Sequence, residues 1–185
     1  MAVFGPPIIE TEELVNKLAT AVCEKLKRGS TDREWTTVVL DELRGIGKDK
    51  KCEVVPDKQY DESAFLLDQV WWRDANLNDI ALAVESEWGS NKAVWHDFGK
   101  LLVIKAPTKL MVYGTGNHEK ESASVRSGVE KYMEEFTHHI EGEQYVLLEF
   151  AVPDRSIYAY QFAVLADGRL RDVKFKDTLK LPIKW

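Results

Sequence analysis

The spacing of apolar residues changes several times along this chain, and the order of these changes limits the fold. Two segments with apolar residues at every third or fourth position indicate amphipathic helices, and short runs rich in β-branched and aromatic residues then indicate strands. One predicted helix begins after 31–32 and stops within 45–51, and the other three cover 12–27, 91–105 and 118–140. The predicted strands cover 52–55, 64–72, 79–87, 109–113, 144–152, 157–165 and 169–175.

This order predicts an α/β fold with a central mixed sheet flanked by helices. The segments 64–72 and 79–87 are joined by a short turn-like stretch, which is long enough only for antiparallel neighbours. No repeat or low-complexity linker interrupts the 185 residues, which suit one hydrophobic core. We therefore expect a single domain, with a core at about 31–113 and a helix plus β-rich C-terminal extension at about 117–176.

The charge balance excludes a general attraction to polyanions. The chain has 25 Lys and Arg against 31 Asp and Glu, a net charge of −6, so nucleic acid would need a local basic lining or bound cations. The two cysteines form no CxxC pattern, which argues against a disulfide framework or a zinc site. Without a leader-like N-terminus or about 18 consecutive apolar residues, we expect a soluble, cytoplasmic protein without a membrane partner.

Acidic residues inside apolar strands are the main anomaly, because a buried carboxylate needs a partner, a proton or a metal. Asp68 interrupts one run, and period-two alternation places it on the face of Leu66 and Val70. Glu85 and Glu87 share a face at the C-terminal end of the next run, where sites in open α/β sheets tend to lie. If the two strands are neighbours, the three carboxylates converge.

A cluster of oxygen ligands suits Mg²⁺ or Mn²⁺, which bridge readily to phosphate oxygens. Phosphodiester hydrolysis is the chemistry that follows. The metal would bind a non-bridging oxygen and lower the pKa of an attacking water, and a nearby lysine would stabilise the charge that develops on the phosphate. Nucleic acid is thus the candidate substrate.

The order and spacing of these residues resemble the restriction-endonuclease-like, or PD-(D/E)xK, nuclease superfamily over about 31–113. Asp68 matches its strand-two acid, and Glu85-Ser86-Glu87 occupies its acid-x-Lys position, with Glu where Lys is expected. Lys100 resembles the lysine that some members carry on the following helix, and Glu42 resembles an acid on the preceding helix. The resemblance implies an αβββαβ core and a catalytic set of Asp68, Glu85, Glu87 and Lys100, the three acids being metal ligands.

Other interpretations remain open at this level. Asp68 and Glu85 could pair with Arg73 or a lysine in a structural ion pair, and Lys100 could lie on a solvated helix face, with Lys92 or Lys105 as alternative helpers. The alternative function is a catalytically inactive member of the fold that binds protein or nucleic acid. The sequence leaves the oligomeric state open, a homodimer included.

Overall fold

The computed structural model describes residues 4–25, 29–57, 66–116, 118–153 and 156–173. Within these ranges the chain forms four α-helices, one π-helical turn and seven strands. The helices are α1 (Thr11–Lys25), α2 (Asp32–Asp49), α3 (Asn91–Val103) and α4 (Ala123–Glu135), which the π-helical turn His118–Ser122 precedes. The strands are β1 (Glu53–Val55), β2 (Gln69–Trp72), β3 (Ile80–Glu87), β4 (Thr108–Thr115), β5 (Gln144–Ala151), β6 (Ser156–Val164) and β7 (Leu170–Val173).

All seven strands belong to one sheet, in the same order as in the sequence. The pairs β3–β4 and β4–β5 are parallel, and each needs a helical crossover, which α3 and α4 provide. The other neighbouring pairs are antiparallel. The predicted α/β class and mixed sheet are confirmed, and the C-terminal strands continue the same sheet.

Helices cover both faces of the central strands. Side chains such as Val84 and Val112 pack in one core with α1 and α2, whereas Ala83 and Met111 point to the other face and pack with α3 and α4. Strands buried on both faces are apolar almost throughout, so a carboxylate within them has no route to bulk water through either face.

The starts of α2 and α3 follow from local capping. Thr31 and Glu34 form a capping box: the Glu34 amide donates to the Thr31 hydroxyl over 3.3 Å, and the Thr31 amide donates to the Glu34 carboxylate over 2.7 Å. Ser90 caps α3 by accepting from the Ala93 amide over 3.4 Å. Both predicted helix starts are confirmed.

The predicted strand 64–72 is too long. Only Gln69–Trp72 is a strand, and residues 64 and 65 lie outside the described part of the chain. Leu66 has a left-handed backbone with φ of 64° and an exposed side chain, so an extended chain cannot run through it. The prediction that Asp68 alternates with Leu66 and Val70 on one strand face is therefore wrong, because Asp68 precedes β2. The antiparallel pairing of β2 with β3 is confirmed.

The predicted helix 118–140 begins where expected but ends too late. Its first turn is π-helical, and α4 stops at Glu135 because Phe136 has an extended backbone, with φ −81° and ψ 117°. The residues that follow turn back towards β5, and His139 Nδ1 comes within 3.1 Å of the Tyr145 hydroxyl. Predicted residues 26–27 and 174–175 of two other elements lie outside the described ranges.

A buried ion pair joins the first residues of β4 to the turn before β5. Lys109 Nζ lies 2.7 Å from Glu143 Oε1 and donates to the Tyr145 hydroxyl over 3.1 Å. Burial lowers the pKa of Lys109, and Glu143 opposes that shift. Among the helices in the described ranges, none has the length and apolar character needed to cross a membrane.

Two glycines of α2 provide a test of the packing between this helix and the sheet. A Cβ at Gly47 would lie 2.7 Å from Val54 and 2.9 Å from the Trp71 ring, whereas a Cβ at Gly45 would meet no atom within 4 Å. Gly47→Ala should lower the free energy of unfolding by about 1–3 kcal/mol through overpacking. Gly45→Ala should raise it by roughly 0.5–1 kcal/mol through helix propensity. Urea denaturation measures both, and equal effects would contradict the close packing.

Candidate active site

The candidate site lies at the C-terminal end of β3, beneath α3. Glu85 is only 1% exposed although it carries an ionisable group, and it points to the same face of the sheet as Ala83, towards α3. Glu87 follows two residues later on the same face and is partly exposed. At the end of β3, Glu85 therefore lies in the interior and Glu87 lies at the edge of the interior.

Asp68 reaches the same place from the bend before β2. Its Oδ2 accepts a hydrogen bond from the Ser86 amide over 2.7 Å, so its carboxylate is held beside β3. The carboxyl groups of Asp68 and Glu85 are close enough for a hydrogen bond when one of them carries a proton. The expected meeting of these two acids is confirmed, although a loop and a backbone amide, rather than strand alternation, bring it about.

Lys100 projects from α3 onto this pair of acids. Its Nζ lies 2.9 Å from Glu85 Oε1 and 2.8 Å from Asp97 Oδ1, and it donates to the Leu66 carbonyl over 3.2 Å. The contact with Glu85 has no aligned hydrogen-bond geometry, since Oε1 makes no well-aligned hydrogen bond among the described residues. The expected approach of Lys100 to the acids is confirmed, and the interpretation as a solvated face is wrong.

Asp97 is the residue of this cluster that sequence reasoning missed. It lies three positions before Lys100 on α3, and its side chain is 14% exposed. Its helix carries several other polar and charged side chains, so its residue type alone does not distinguish it from a surface charge. The i, i+3 spacing to Lys100 was the available signal, since residues three apart share a helix face.

Glu87 joins the cluster through Asp97. Its Oε1 accepts from the Gly89 amide over 2.5 Å, and its carboxyl group lies near that of Asp97, close enough for a hydrogen bond when one of them carries a proton. The pKa of Glu87 is raised, first by burial and then by Asp97, while the Gly89 amide opposes the shift. The carboxyl group is thus turned towards the β3–α3 turn.

The cluster holds more negative than positive charge. Among the described residues this cluster contains four carboxyl groups, those of Asp68, Glu85, Glu87 and Asp97, and one ammonium, that of Lys100, which contacts Glu85 and Asp97. Burial, followed by the neighbouring Asp68, raises the pKa of Glu85 to about 9. Burial also raises the pKa of Asp68, against the Ser86 amide and Lys100. Burial alone would lower the pKa of Lys100, but Asp97 and Glu85 outweigh it and raise that pKa.

The donor chemistry of this cluster fits a hard divalent cation. Asp68 and Glu85 offer oxygen ligands only, and the raised pKa of Glu85 marks a place where added positive charge would be stabilised. In the part of the chain that the structure describes, no three His, Cys, Asp or Glu side chains converge at metal-binding distance. Mg²⁺ is commonly held by one or two carboxylates, with waters and phosphate completing its shell, so this pair would suffice.

The other residues considered from the sequence have different partners or lie at the surface. Glu42, the acid of the preceding helix, forms an ion pair with Lys25 of α1 rather than a contact with the acid cluster. Arg73 Nε lies 3.1 Å from Asp79 Oδ2, so Arg73 pairs with Asp79 rather than with Asp68 or Glu85. The alternative helpers, Lys92 and Lys105, are exposed.

In comparisons with known proteins, no family model matches this chain, and a search of curated proteins finds no match.

The buried Glu85 predicts a pH dependence of stability in the absence of divalent cations. Its carboxyl keeps a proton up to a pKa of about 9 in the folded chain, against the ordinary value of 4.5. Between these values the folded state binds more protons than the unfolded state, so stability should fall as the pH rises through this window. Glu85→Gln should remove most of the slope and raise the free energy of unfolding at pH 8.5 by about 1–3 kcal/mol.

Urea denaturation in EDTA at pH 5.5, 7 and 8.5 measures this effect. Glu12→Gln is the matched control, because Glu12 is exposed on α1 and its replacement should leave the wild-type slope intact. An unchanged slope in Glu85→Gln would show that this carboxyl does not hold its proton in the folded chain.

Proposed function

We propose that this chain is a metal-dependent nuclease with a PD-(D/E)xK-like site that hydrolyses phosphodiester bonds in nucleic acid. The observation that carries the proposal is the contact set of Asp68, Glu85 and Lys100, which joins the half-buried Asp68 and the buried Glu85 to a lysine from the following helix. The element order α2-β1-β2-β3-α3-β4 agrees with the αβββαβ core that the resemblance implies. It supports the assignment of Lys100 as the migrated lysine.

Asp68 and Glu85 would hold Mg²⁺ or Mn²⁺ through their oxygens. Either cation, when bound, supplies Lewis-acid polarisation of the phosphate and lowers the pKa of an attacking water. Glu87 lies at the partly exposed margin, and no third acid converges with Asp68 and Glu85 at metal-binding distance among the described residues, so Glu87 would orient that water and accept its proton. Burial raises the pKa of Glu87, and a raised pKa makes the carboxylate a stronger base.

Lys100 would stabilise the negative charge that develops on the phosphate during hydrolysis. Asp97 and the Leu66 carbonyl fix its ammonium from two further sides, so its position does not depend on Glu85 alone. Lys100 would have to yield Glu85 Oε1 to a divalent cation, whereas its contact with Asp97 would keep the lysine in place. Asp97 is therefore a positioning residue in this mechanism.

The charge of the site makes nucleic-acid binding dependent on the cation. Both the chain as a whole and the cluster carry excess negative charge, which repels a phosphate backbone. We therefore expect EDTA to abolish both cleavage and binding of an oligonucleotide.

Substitution of Lys100 separates catalysis from cation binding. With generic DNA and RNA oligonucleotides and Mn²⁺, Lys100→Ala should lose cleavage by roughly 10²-fold or more, since one electrostatic stabiliser is removed. It should retain Mn²⁺ affinity in calorimetric titration, because an ammonium does not bind a cation. Asp68→Ala should lose both cleavage and Mn²⁺ binding. Lys92→Ala is the matched control, because it removes an exposed lysine from the same helix.

Two results would contradict this assignment. Cleavage by Lys100→Ala at the wild-type rate would transfer the helper role to Lys92 or Lys105. A wild-type chain that neither binds Mn²⁺ nor cleaves any oligonucleotide would favour the alternative function, a catalytically inactive member of the fold that binds protein or nucleic acid. The observation that favours this alternative is the Lys100 ammonium itself, which already neutralises part of the acid cluster.

A further inference from the structure

A groove of about 580 Å³ lies between the C-terminal half of α4 and the β6–β7 hairpin. It lies towards the β7 edge of the sheet, whereas the candidate active site lies on β2 and β3. Four of its lining residues are apolar, and of these Phe136 and Leu170 are only partly buried. The apolar lining consists of Met133, Phe136, Phe162 and Leu170.

The rim of this groove is acidic. Glu130 and Glu134 line it from α4, and Asp172 lines it from β7. Glu130 and Glu134 are four residues apart on one helix face, where like charges destabilise a helix. Among the described lining residues Arg169 is the one lysine or arginine, and its guanidinium is already bound to Asp167 at 2.6 Å. The groove therefore fits a segment that combines large apolar side chains with positive charge.

Residues 174–185 of this chain have that composition. The segment, KFKDTLKLPIKW, lies outside the described residues and contains four lysines, one aspartate and five large apolar side chains. It follows Val173 directly, next to Asp172 of the groove rim. Twelve residues extend up to about 40 Å, so the segment reaches the whole groove without strain.

We propose that residues 174–185 dock in this groove of their own chain. The lysines would neutralise Glu130 and Glu134, and the apolar side chains would cover Phe136 and Leu170. Tethering favours this occupant over a second copy, because a segment attached at the rim has an effective concentration in the millimolar range. The proposal is independent of the nuclease assignment.

Charge reversal in the full chain tests the docking. In the wild type, backbone amides of 174–185 should exchange hydrogen at least about tenfold more slowly than an unprotected chain. Glu130→Lys with Glu134→Lys should remove most of this protection, and adding Lys180→Glu with Lys184→Glu should restore it. The matched control, Glu12→Lys with Glu135→Lys, changes the same number of exposed charges outside the groove lining and should leave the protection unchanged.

Three results would overturn the proposal. The first is exchange of the wild-type segment at the unprotected rate. The second is protection that survives reversal of Glu130 and Glu134, or that the compensating lysine reversals do not restore. The third is protection that rises with protein concentration together with a dimeric mass in sedimentation, which would make a second copy of the chain the occupant.

Discussion

The burial of Glu85 on a strand covered from both sides is the constraint on which the arrangement around β3 depends. An isolated carboxylate there would pay a desolvation cost that the fold could not tolerate. Two features of the structure reduce this cost: Lys100 approaches Oε1, and the carboxyl keeps its proton over most of the physiological pH range. The contact between Lys100 and Glu85 therefore contributes, together with apolar packing, to the position of α3 over the end of β3.

The sequence predicts the fold better than it predicts the route by which the site forms. Apolar periodicity locates most helices and strands because burial on one or two faces dominates their composition. The acids Asp68 and Glu85 meet as expected, but through a backbone hydrogen bond from Ser86. Asp68 lies two residues after the left-handed Leu66, whose backbone geometry leaves no mark in the apolar spacing. Predictions from periodicity fail where single residues leave regular structure.

Residues on mixed polar helices are equally hard to assign. Asp97 and Lys100 both belong to a helix with several charged side chains, and only the packing of α3 against β3 shows which of them turn inwards. The end of α4 is a similar case, since the residues after Glu135 continue the helical spacing of apolar groups. His139 instead reaches the polar cluster of Tyr145, and such a distant contact overrides the local pattern.

The strictly sequential order of the sheet has a consequence for how the chain folds during synthesis. Every strand pairs only with the strands immediately before and after it in the chain, so no later strand has to insert between two earlier ones. Each strand that leaves the ribosome therefore finds its partner already in place, and the sheet can grow from the N-terminus in one direction. Asp68, Glu85 and Lys100 all precede β4, so the acid–lysine cluster can assemble before the second half of the sheet has been translated.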